Sequence, residues 1–208
     1  LIKLTKLNVS YRTVQETKKR QMNTAYKSKK RRRAELRHHP EFREYVENLR
    51  QYIVTTRFNS DTWRENEEYR KQHPTFGSIY GTPELVNSNY KEKSVLFVLE
   101  MNNSENRIMG VGMVANIPHV KKYRIYSDDN YNRYAYMGKY RIDRENVQEK
   151  DEFIFELFDQ LCFFGSGHQK KLPGIKGFPL DRLFKMKQKK EIDLVDYIKD
   201  MFKAIIIK

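Results

Sequence analysis

The chain has 208 residues, of which 38% are apolar and 33% are charged, and its formal net charge is +14. No apolar stretch is long enough to span a bilayer, and Cys162, the only cysteine, cannot form an internal disulfide. The first residues also lack the apolar core of a signal peptide. We therefore expect an intracellular protein of the cytoplasm or nucleus, or of a virion, with no membrane partner.

The positive charge is concentrated at the front of the chain. Residues 1–50 contain 15 Lys and Arg against 5 Asp and Glu, whereas residues 51–208 contain 26 against 22. Such an asymmetry indicates a polyanionic partner, and nucleic acid is a commoner one than an acidic membrane surface. The sequence predicts two parts, a basic N-terminal extension over residues 1–39 and a domain over residues 40–208.

The first half of the chain alternates helical and extended patterns. The tract "KSKKRRR" (27–33) is compatible with a solvated helix or with an arm that orders on a partner. After it, apolar spacing, capping residues and breakers predict these elements: a helix from Pro40, a strand over 51–58, a helix over 61–72 capped by Asn59 or Ser60, and an extended piece at Ser78–Tyr80.

A β-hairpin follows, with strands over 94–101 and 107–116 around the turn "NNSEN". Its second strand carries Gly110 and Gly112 on one face, where bulk is expected. Glycine inside a strand marks tight curvature or the close approach of another group. Two interpretations remain open here: a sheet that curls into a small barrel, or a flat floor for a ligand.

The remaining patterns predict a strand, two helices and a basic loop. The segments are a strand over 136–143, a helix over 150–164 buried through Phe153, Ile154, Leu157, Phe158 and Leu161, a glycine-rich loop over 165–177, and a final helix over 191–207. This order of elements indicates an α+β protein with a small, mostly antiparallel sheet or partly open barrel.

Four stretches carry a family resemblance: "YIVTTRFNSDTW", "SIYGTP", "VLFVLEMNNSENRIMGVGMV" and "YMGKYRID". Their order resembles the PUA/EVE/YTH group of nucleic-acid-binding domains, and is most similar to YTH domains, which read N6-methyladenine in RNA. The resemblance covers roughly residues 50–145 and implies a PUA/YTH-like β-barrel flanked by helices. The stretches "FVLEMNN" and "GSGHQKKLPGI" also resemble uncharacterised proteins of large DNA viruses, which implies no activity.

The resemblance implies a pocket for a modified base. It places one wall at Tyr80, beside the small residue Gly81, and a second at Tyr136. A further wall comes from the variable loop, where Tyr126, Tyr131 and Tyr134 are all available. The resemblance assigns the polar contacts to the base edge to Thr56 and Arg57, at the end of the first strand.

Two basic segments are candidates for phosphate contacts. The residues are Lys29, Lys30, Arg31, Arg32 and Arg33 in the N-terminal tract, and Ser166, His168, Lys170 and Lys171 in the glycine-rich loop. Clustered cations give salt-dependent, sequence-blind affinity, and glycine-rich loops offer backbone amides to phosphate.

Enzyme chemistry has little support in the sequence. The five histidines show no metal-ligand spacing, so we predict no metal, no cofactor and no catalytic residue. We therefore predict a module that binds nucleic acid, RNA before DNA. Two alternatives stay open: a packaging component with protein partners in a nucleoprotein particle, and a metal-dependent nuclease built on Glu100, Asp143 and Glu145 with Lys139.

Overall fold

The predicted α+β class is confirmed by a computed structural model of the chain. The structure describes residues 19, 23, 24, 27, 28, 31, 32, 34–120, 122–165 and 167–207. The chain divides into two compact units, residues 1–48 and residues 49–208.

The described residues of the first unit are helical except for His38 and His39. Residues 31, 32 and 34–37 are helical, and exposed Arg31 forms a 2.7 Å ion pair with Glu35 one turn later. Helix α1 spans Pro40–Asn48, and Phe42 and Tyr45 are its buried residues. Proline at the first helical position suits the start of a helix, because its missing N–H would have no partner there.

The second unit contains a mixed sheet of five strands in the order β7-β4-β3-β1-β8. Strands β1 and β3 run parallel, and the other pairs are antiparallel. A parallel pair needs a crossover connection, which the segment between Phe58 and Val95 supplies. The strands of this sheet are β1 (Gln51–Phe58), β3 (Val95–Asn102), β4 (Arg107–Ala115), β7 (Tyr140–Asp143) and β8 (Lys176–Gly177).

A second, antiparallel sheet has the order β2-β6-β5. Its strands are β2 (Ser78–Thr82), β5 (His119–Val120) and β6 (Tyr134–Gly138). All five residues of β2 are buried. In the described residues the strands form these two separate sheets and no closed barrel, which corrects the expectation of a barrel.

Four further helices and two 3₁₀ turns complete the unit. The helices are α2 (Ser60–Gln72), α3 (Glu149–Phe163), α4 (Leu180–Lys190) and α5 (Leu194–Ile206), and the 3₁₀ turns are Asp129–Asn132 and Arg144–Asn146. Helix α2 begins with a reciprocal cap, because Asn59 Oδ1 accepts from the Thr62 amide at 2.8 Å and Thr62 Oγ1 accepts from the Asn59 amide at 3.0 Å.

Two sequence predictions about this region are wrong in detail. The strand predicted over 136–143 is broken at Lys139 into β6 and β7, which belong to different sheets. Helix α3 buries Ile154, Phe155, Phe158, Cys162 and Phe163, whereas Phe153 is 44% exposed. The buried face is therefore rotated from the predicted one, because Phe155 and Phe163 are drawn into the core in place of Phe153, Leu157 and Leu161.

Candidate functional site

A cleft of about 630 Å³ opens where strand β1 ends and helix α2 begins. Four further segments complete it: β2, the turn between β3 and β4, the connection from β5 to β6, and the loop between α3 and α4. Of the residues assigned to a base pocket by resemblance, five line this cleft, namely Thr56, Arg57, Gly81, Tyr126 and Tyr131. Its volume lies in the range of small-molecule sites.

Arg57 is a half-buried cation in the wall of the cleft. Its Nε donates to the carbonyl of Gln169 at 2.5 Å, and its Nη1 donates to the carbonyls of Thr55 and Gly174 at 3.3 Å each. Among the described residues, no carboxylate forms an ion pair with it. Burial lowers the pKa of Arg57 to about 10, so the side chain remains charged at neutral pH.

Gly81 allows two tyrosines to close around one side of the cleft. A side chain at position 81 would collide with the Tyr131 carbonyl and with the Tyr126 ring. Tyr126 is buried, and its hydroxyl accepts from Asn66 at 3.2 Å, with burial raising its pKa. Tyr131 is only half-buried and meets Tyr126 edge to face at 6.1 Å, so Tyr131 is the ring that offers surface to a ligand.

The cleft also carries negative charge and further polar groups. Asp61 and Glu65 come from helix α2, and Asp128 precedes the 3₁₀ turn. Glu65 Oε1 accepts from the Ser127 amide at 3.1 Å, and Asp128 Oδ1 accepts from the Asn130 amide at 2.9 Å, so both carboxylates also hold the loop. Carboxylates accept hydrogen bonds, whereas the Arg57 guanidinium only donates them. The cleft therefore offers both hydrogen-bond acceptors and a hydrogen-bond donor to a polar ring.

Tyr80 and Tyr136 do not belong to this cleft. They lie directly opposite each other on β2 and β6, and they are 0% and 1% exposed. The Tyr80 hydroxyl donates to Glu100 Oε1 at 2.7 Å, and the Tyr136 hydroxyl accepts from the Val86 amide at 3.0 Å. Because neither ring has a face open to a ligand, the structure corrects their assignment as pocket walls.

Tyr80 instead explains the glycines of the hairpin. A side chain at Gly112 would occupy the place of the Tyr80 hydroxyl, and one at Gly110 would meet Arg141 and Glu100 at 2.7 Å. The two sheets also touch here, since a side chain at Gly138 would collide with the Met113 carbonyl. The bare face of β4 is therefore filled by the protein's own polar side chains and is not a floor for a ligand.

These side chains form a buried ion pair. Arg141 Nη2 donates to Glu100 Oε2 at 2.7 Å, and Arg141 Nη1 donates to Asp143 Oδ2 at 2.6 Å. Burial opposes the charge on Arg141, but the Glu100 carboxylate outweighs it and the pKa of Arg141 is raised. The Trp63 ring lies 5.7 Å from the Arg141 guanidinium carbon, which adds a cation–π contact.

The residues named for a nuclease do not form an open carboxylate cluster. Glu100 is fully buried, and its oxygens accept from Arg141 and Tyr80. Asp143 is held by the same arginine, and its other oxygen accepts from the Glu145 amide at 3.3 Å. Within the described part of the chain, no group of three or more His, Cys, Asp or Glu is placed to hold a metal ion.

The structure describes only some of the residues predicted to contact phosphate. Lys29, Lys30, Arg33 and Ser166 lie outside the described residues. Arg31, Arg32 and Lys171 are exposed. Lys170 lines the cleft, with its Nζ 5.8 Å from the Phe163 ring, whereas His168 has a buried Nδ1 with no hydrogen-bond partner in the described structure.

Sequence reasoning missed Asn59, Glu65 and Asn103 as cleft residues. The sequence predicts Asn59 only as a candidate helix cap, although a cap directly after a strand also lies at the carboxyl end of that strand. Asn103 carries a buried Oδ1 with no partner in the described structure, and its Nδ2 donates to the Lys170 carbonyl at 3.3 Å. No pattern in the sequence indicates that the hairpin turn reaches the glycine-rich loop.

No protein-family model, no curated protein and no solved structure matches this chain. Among the described residues, no helix is both long and apolar enough to cross a membrane.

Proposed function

We propose that this chain binds single-stranded nucleic acid, RNA in preference to DNA, by placing one base in the cleft between Arg57 and Tyr131. The preference for RNA rests on the resemblance of residues 50–145 to RNA-reading domains. The finer assignment to a PUA/YTH-like fold is part of the same proposal.

One observation carries the proposal. Arg57 is a half-buried cation without a carboxylate partner among the described residues, and it lines a cleft of about 630 Å³. A buried charge is costly unless it is compensated, and here the hydrogen bonds of the guanidinium go to backbone carbonyls. An acceptor-rich base edge or a phosphate oxygen supplies what the carbonyls lack.

Tyr131 supplies the apolar part of the interaction. Stacking of a base on an aromatic ring contributes about 1–3 kcal/mol and tolerates any base. Tyr126 fixes the Tyr131 ring edge to face, which reduces the freedom that the ring loses on binding. The basic surplus of residues 1–50, at 15 against 5, adds a long-range attraction for the polyanion.

Recognition of an N6-methylated base is the finer form of the proposal. A methyl group that enters an apolar slot gains about 0.8 kcal/mol, or roughly a fourfold increase in affinity. Tyr131 is a single half-buried ring and Tyr80 and Tyr136 lie in the core, so we expect a preference no larger than this fourfold value.

The test is a fluorescence titration of short RNA with the wild-type chain and three cleft variants. Tyr131→Ala removes the stacking ring, Arg57→Gln removes the cation, and Arg57→Lys keeps the charge but not the guanidinium geometry. Matched controls are Tyr197→Ala and Arg107→Gln, which change the same residue types outside the cleft. We expect roughly tenfold weaker binding for Tyr131→Ala and Arg57→Gln, an intermediate value for Arg57→Lys, and no change in the controls.

The same titration distinguishes the alternatives. Methylated and plain RNA, and DNA of the same sequence, are compared at two salt concentrations. If the cleft variants bind like wild type and affinity depends only on salt, the base-binding proposal fails in favour of sequence-blind packaging. Cleavage of the RNA when Mg²⁺ or Mn²⁺ is added would favour the nuclease instead.

A further inference from the structure

Five aromatic side chains form a continuous row on the surface of the second unit. The Tyr69 and His73 rings stack at 4.2 Å, and the row continues through Phe76 at 6.4 Å, Tyr123 at 5.8 Å and His119 at 6.0 Å. None of these five side chains is buried. They come from helix α2, the loop after it, strand β5 and the segment after β5, so the fold assembles the row from distant parts of the sequence.

Three cations lie beside Tyr123. A surface recess of about 650 Å³ is lined by Tyr123 together with Lys122, Arg124 and Arg133. All three cations are exposed, and the only carboxylate in the lining is Asp129, which is paired with Arg124 at 3.1 Å. Arg133 donates to Asn130 Oδ1 at 3.2 Å, which orients its guanidinium. The lining therefore has a net positive charge.

This surface adjoins the cleft through one structural element. The 3₁₀ turn Asp129–Asn132 contributes Tyr131 to the cleft and Asp129, Asn130 and Asn132 to the recess. A 3₁₀ helix has three residues per turn, so its sides serve different surroundings. Asn132 fixes the turn, because its Oδ1 accepts from the Ile125 and Tyr126 amides at 2.9 and 3.0 Å.

We propose that a surface around Tyr123, here called the Tyr123 shelf, binds the nucleotides that flank the base held in the cleft. The shelf consists of Tyr69, His73, Phe76, His119, Tyr123, Lys122, Arg124 and Arg133. The proposal rests on the proposed function. Its ligand is single-stranded nucleic acid, whose phosphates contact the cations and whose bases stack on the partly exposed rings. Aromatic rings beside a group of cations are the combination that sequence-tolerant single-strand binding uses.

Charge favours nucleic acid over a protein partner at this shelf. The fully buried core of a protein interface is depleted of charged residues, and lysine is depleted from such interfaces. The shelf instead combines rings with three exposed cations and one paired carboxylate. Binding of a polyanion there releases counterions, and it therefore predicts a measurable dependence on salt.

The experiment compares two RNA lengths. A three-nucleotide RNA has at most two nucleotides outside the cleft, whereas a twelve-nucleotide RNA has enough to cover the length of the shelf. The shelf variant is Lys122→Gln with Arg124→Gln and Arg133→Gln in the full chain. The matched control is Lys185→Gln with Lys189→Gln and Lys203→Gln, which also removes three cations, one of them ion-paired. Melting temperatures of both variants check that they fold.

We expect the shelf variant to bind the twelve-nucleotide RNA at least tenfold more weakly than the control variant does. The slope of log affinity against log salt falls by about 2, at roughly 0.7 for each of three lost phosphate contacts. Binding of the three-nucleotide RNA falls much less, because at most two of its nucleotides lie outside the cleft. Tyr123→Leu keeps an apolar side chain but removes the ring. Because stacking is lost, we expect this variant to bind the twelve-nucleotide RNA at least about fivefold more weakly than wild type.

Crosslinking tests the proposal on the wild-type chain, without any substitution. Ultraviolet crosslinking of the twelve-nucleotide RNA, followed by peptide mapping, is expected to label Tyr123 or His119. The inference is overturned if the shelf variant stays within twofold of its control and neither residue is labelled. Loss of binding in cleft variants alone would then leave the proposed function standing, whereas a wild-type chain that binds neither RNA ends both proposals.

Discussion

Tyr80 and Gly112 share one space: the tyrosine hydroxyl lies where a side chain at position 112 would stand. From there the hydroxyl donates to Glu100 at 2.7 Å inside the core. The contact between the two sheets thus requires glycine at position 112 of strand β4. Because the Tyr80 ring fills this space in the core, it is not exposed to a ligand.

Gly112→Ala is expected to destabilise the protein. Overpacking a core by one methyl costs about 1–3 kcal/mol when the neighbours cannot move, and Tyr80 is held by Glu100 and buried on all sides. Urea denaturation of Gly112→Ala, Tyr80→Phe and the double variant measures the effect. Because Tyr80→Phe removes the colliding hydroxyl, the double variant should cost less than the sum; simple additivity would contradict the shared space.

Glu100→Gln tests the buried ion pair. Removing this buried partner leaves the Arg141 guanidinium with only the part-exposed Asp143 carboxylate, and we expect the loss to cost up to about 3–5 kcal/mol of unfolding free energy. The matched control is Glu84→Gln, because Glu84 pairs with Lys176 at the surface and is 61% exposed. We expect no measurable change in the control. Equal midpoints of denaturation for the two variants would show that Arg141 does not depend on Glu100.

Neutralising the N-terminal tract separates charge from base recognition. Substitution of Gln for Lys27, Lys29, Lys30, Arg31, Arg32 and Arg33 removes six cations from a region with a surplus of ten. We expect affinity for RNA and DNA to fall by similar factors and the salt slope to decrease, because phosphate contacts carry no sequence information. A change in the preference for one base would instead place this tract in the recognition site.

The alkylation rate of Cys162 measures how well its thiol is buried in the core. Burial raises the pKa of its thiol to about 12, so little thiolate exists at pH 8. Because the thiolate is the reactive form, alkylation by iodoacetamide should be at least about a hundredfold slower in the folded chain than in urea. Equal rates in the two conditions would mean that helix α3 does not bury this face.

The sequence was sufficient for elements with strong local patterns. Strand β1, helix α2 with its Asn59 cap and the β3–β4 hairpin all appear close to the predicted bounds. Helix α4 was missed because a proline- and glycine-rich loop precedes it, although Leu180, Leu183 and Phe184 have helical spacing and its last turn is basic. Alternation along 136–143 continues across Lys139 although the chain changes sheets there, so no periodicity reveals the break.

The site was harder to predict than the fold. Thr56, Arg57, Gly81 and Tyr131, which the resemblance assigns to a base pocket, line one cleft, but their proximity depends on tertiary contacts. Tyrosine serves equally well in a core or at a surface, because its ring is apolar and its hydroxyl needs only one partner. Glu100 supplies that partner to Tyr80 and the Val86 amide supplies it to Tyr136, and neither contact is visible in the local sequence.

Binding of a three-nucleotide RNA to the double variant Arg57→Gln with Tyr131→Ala tests the central claim most directly. Its matched control is Arg107→Gln with Tyr197→Ala, which changes the same residue types outside the cleft. The account predicts that the cleft variant binds at least about fiftyfold more weakly than the control, because it loses both the stacking ring and the buried cation. Affinities within twofold of each other, in variants that fold equally well, would contradict it.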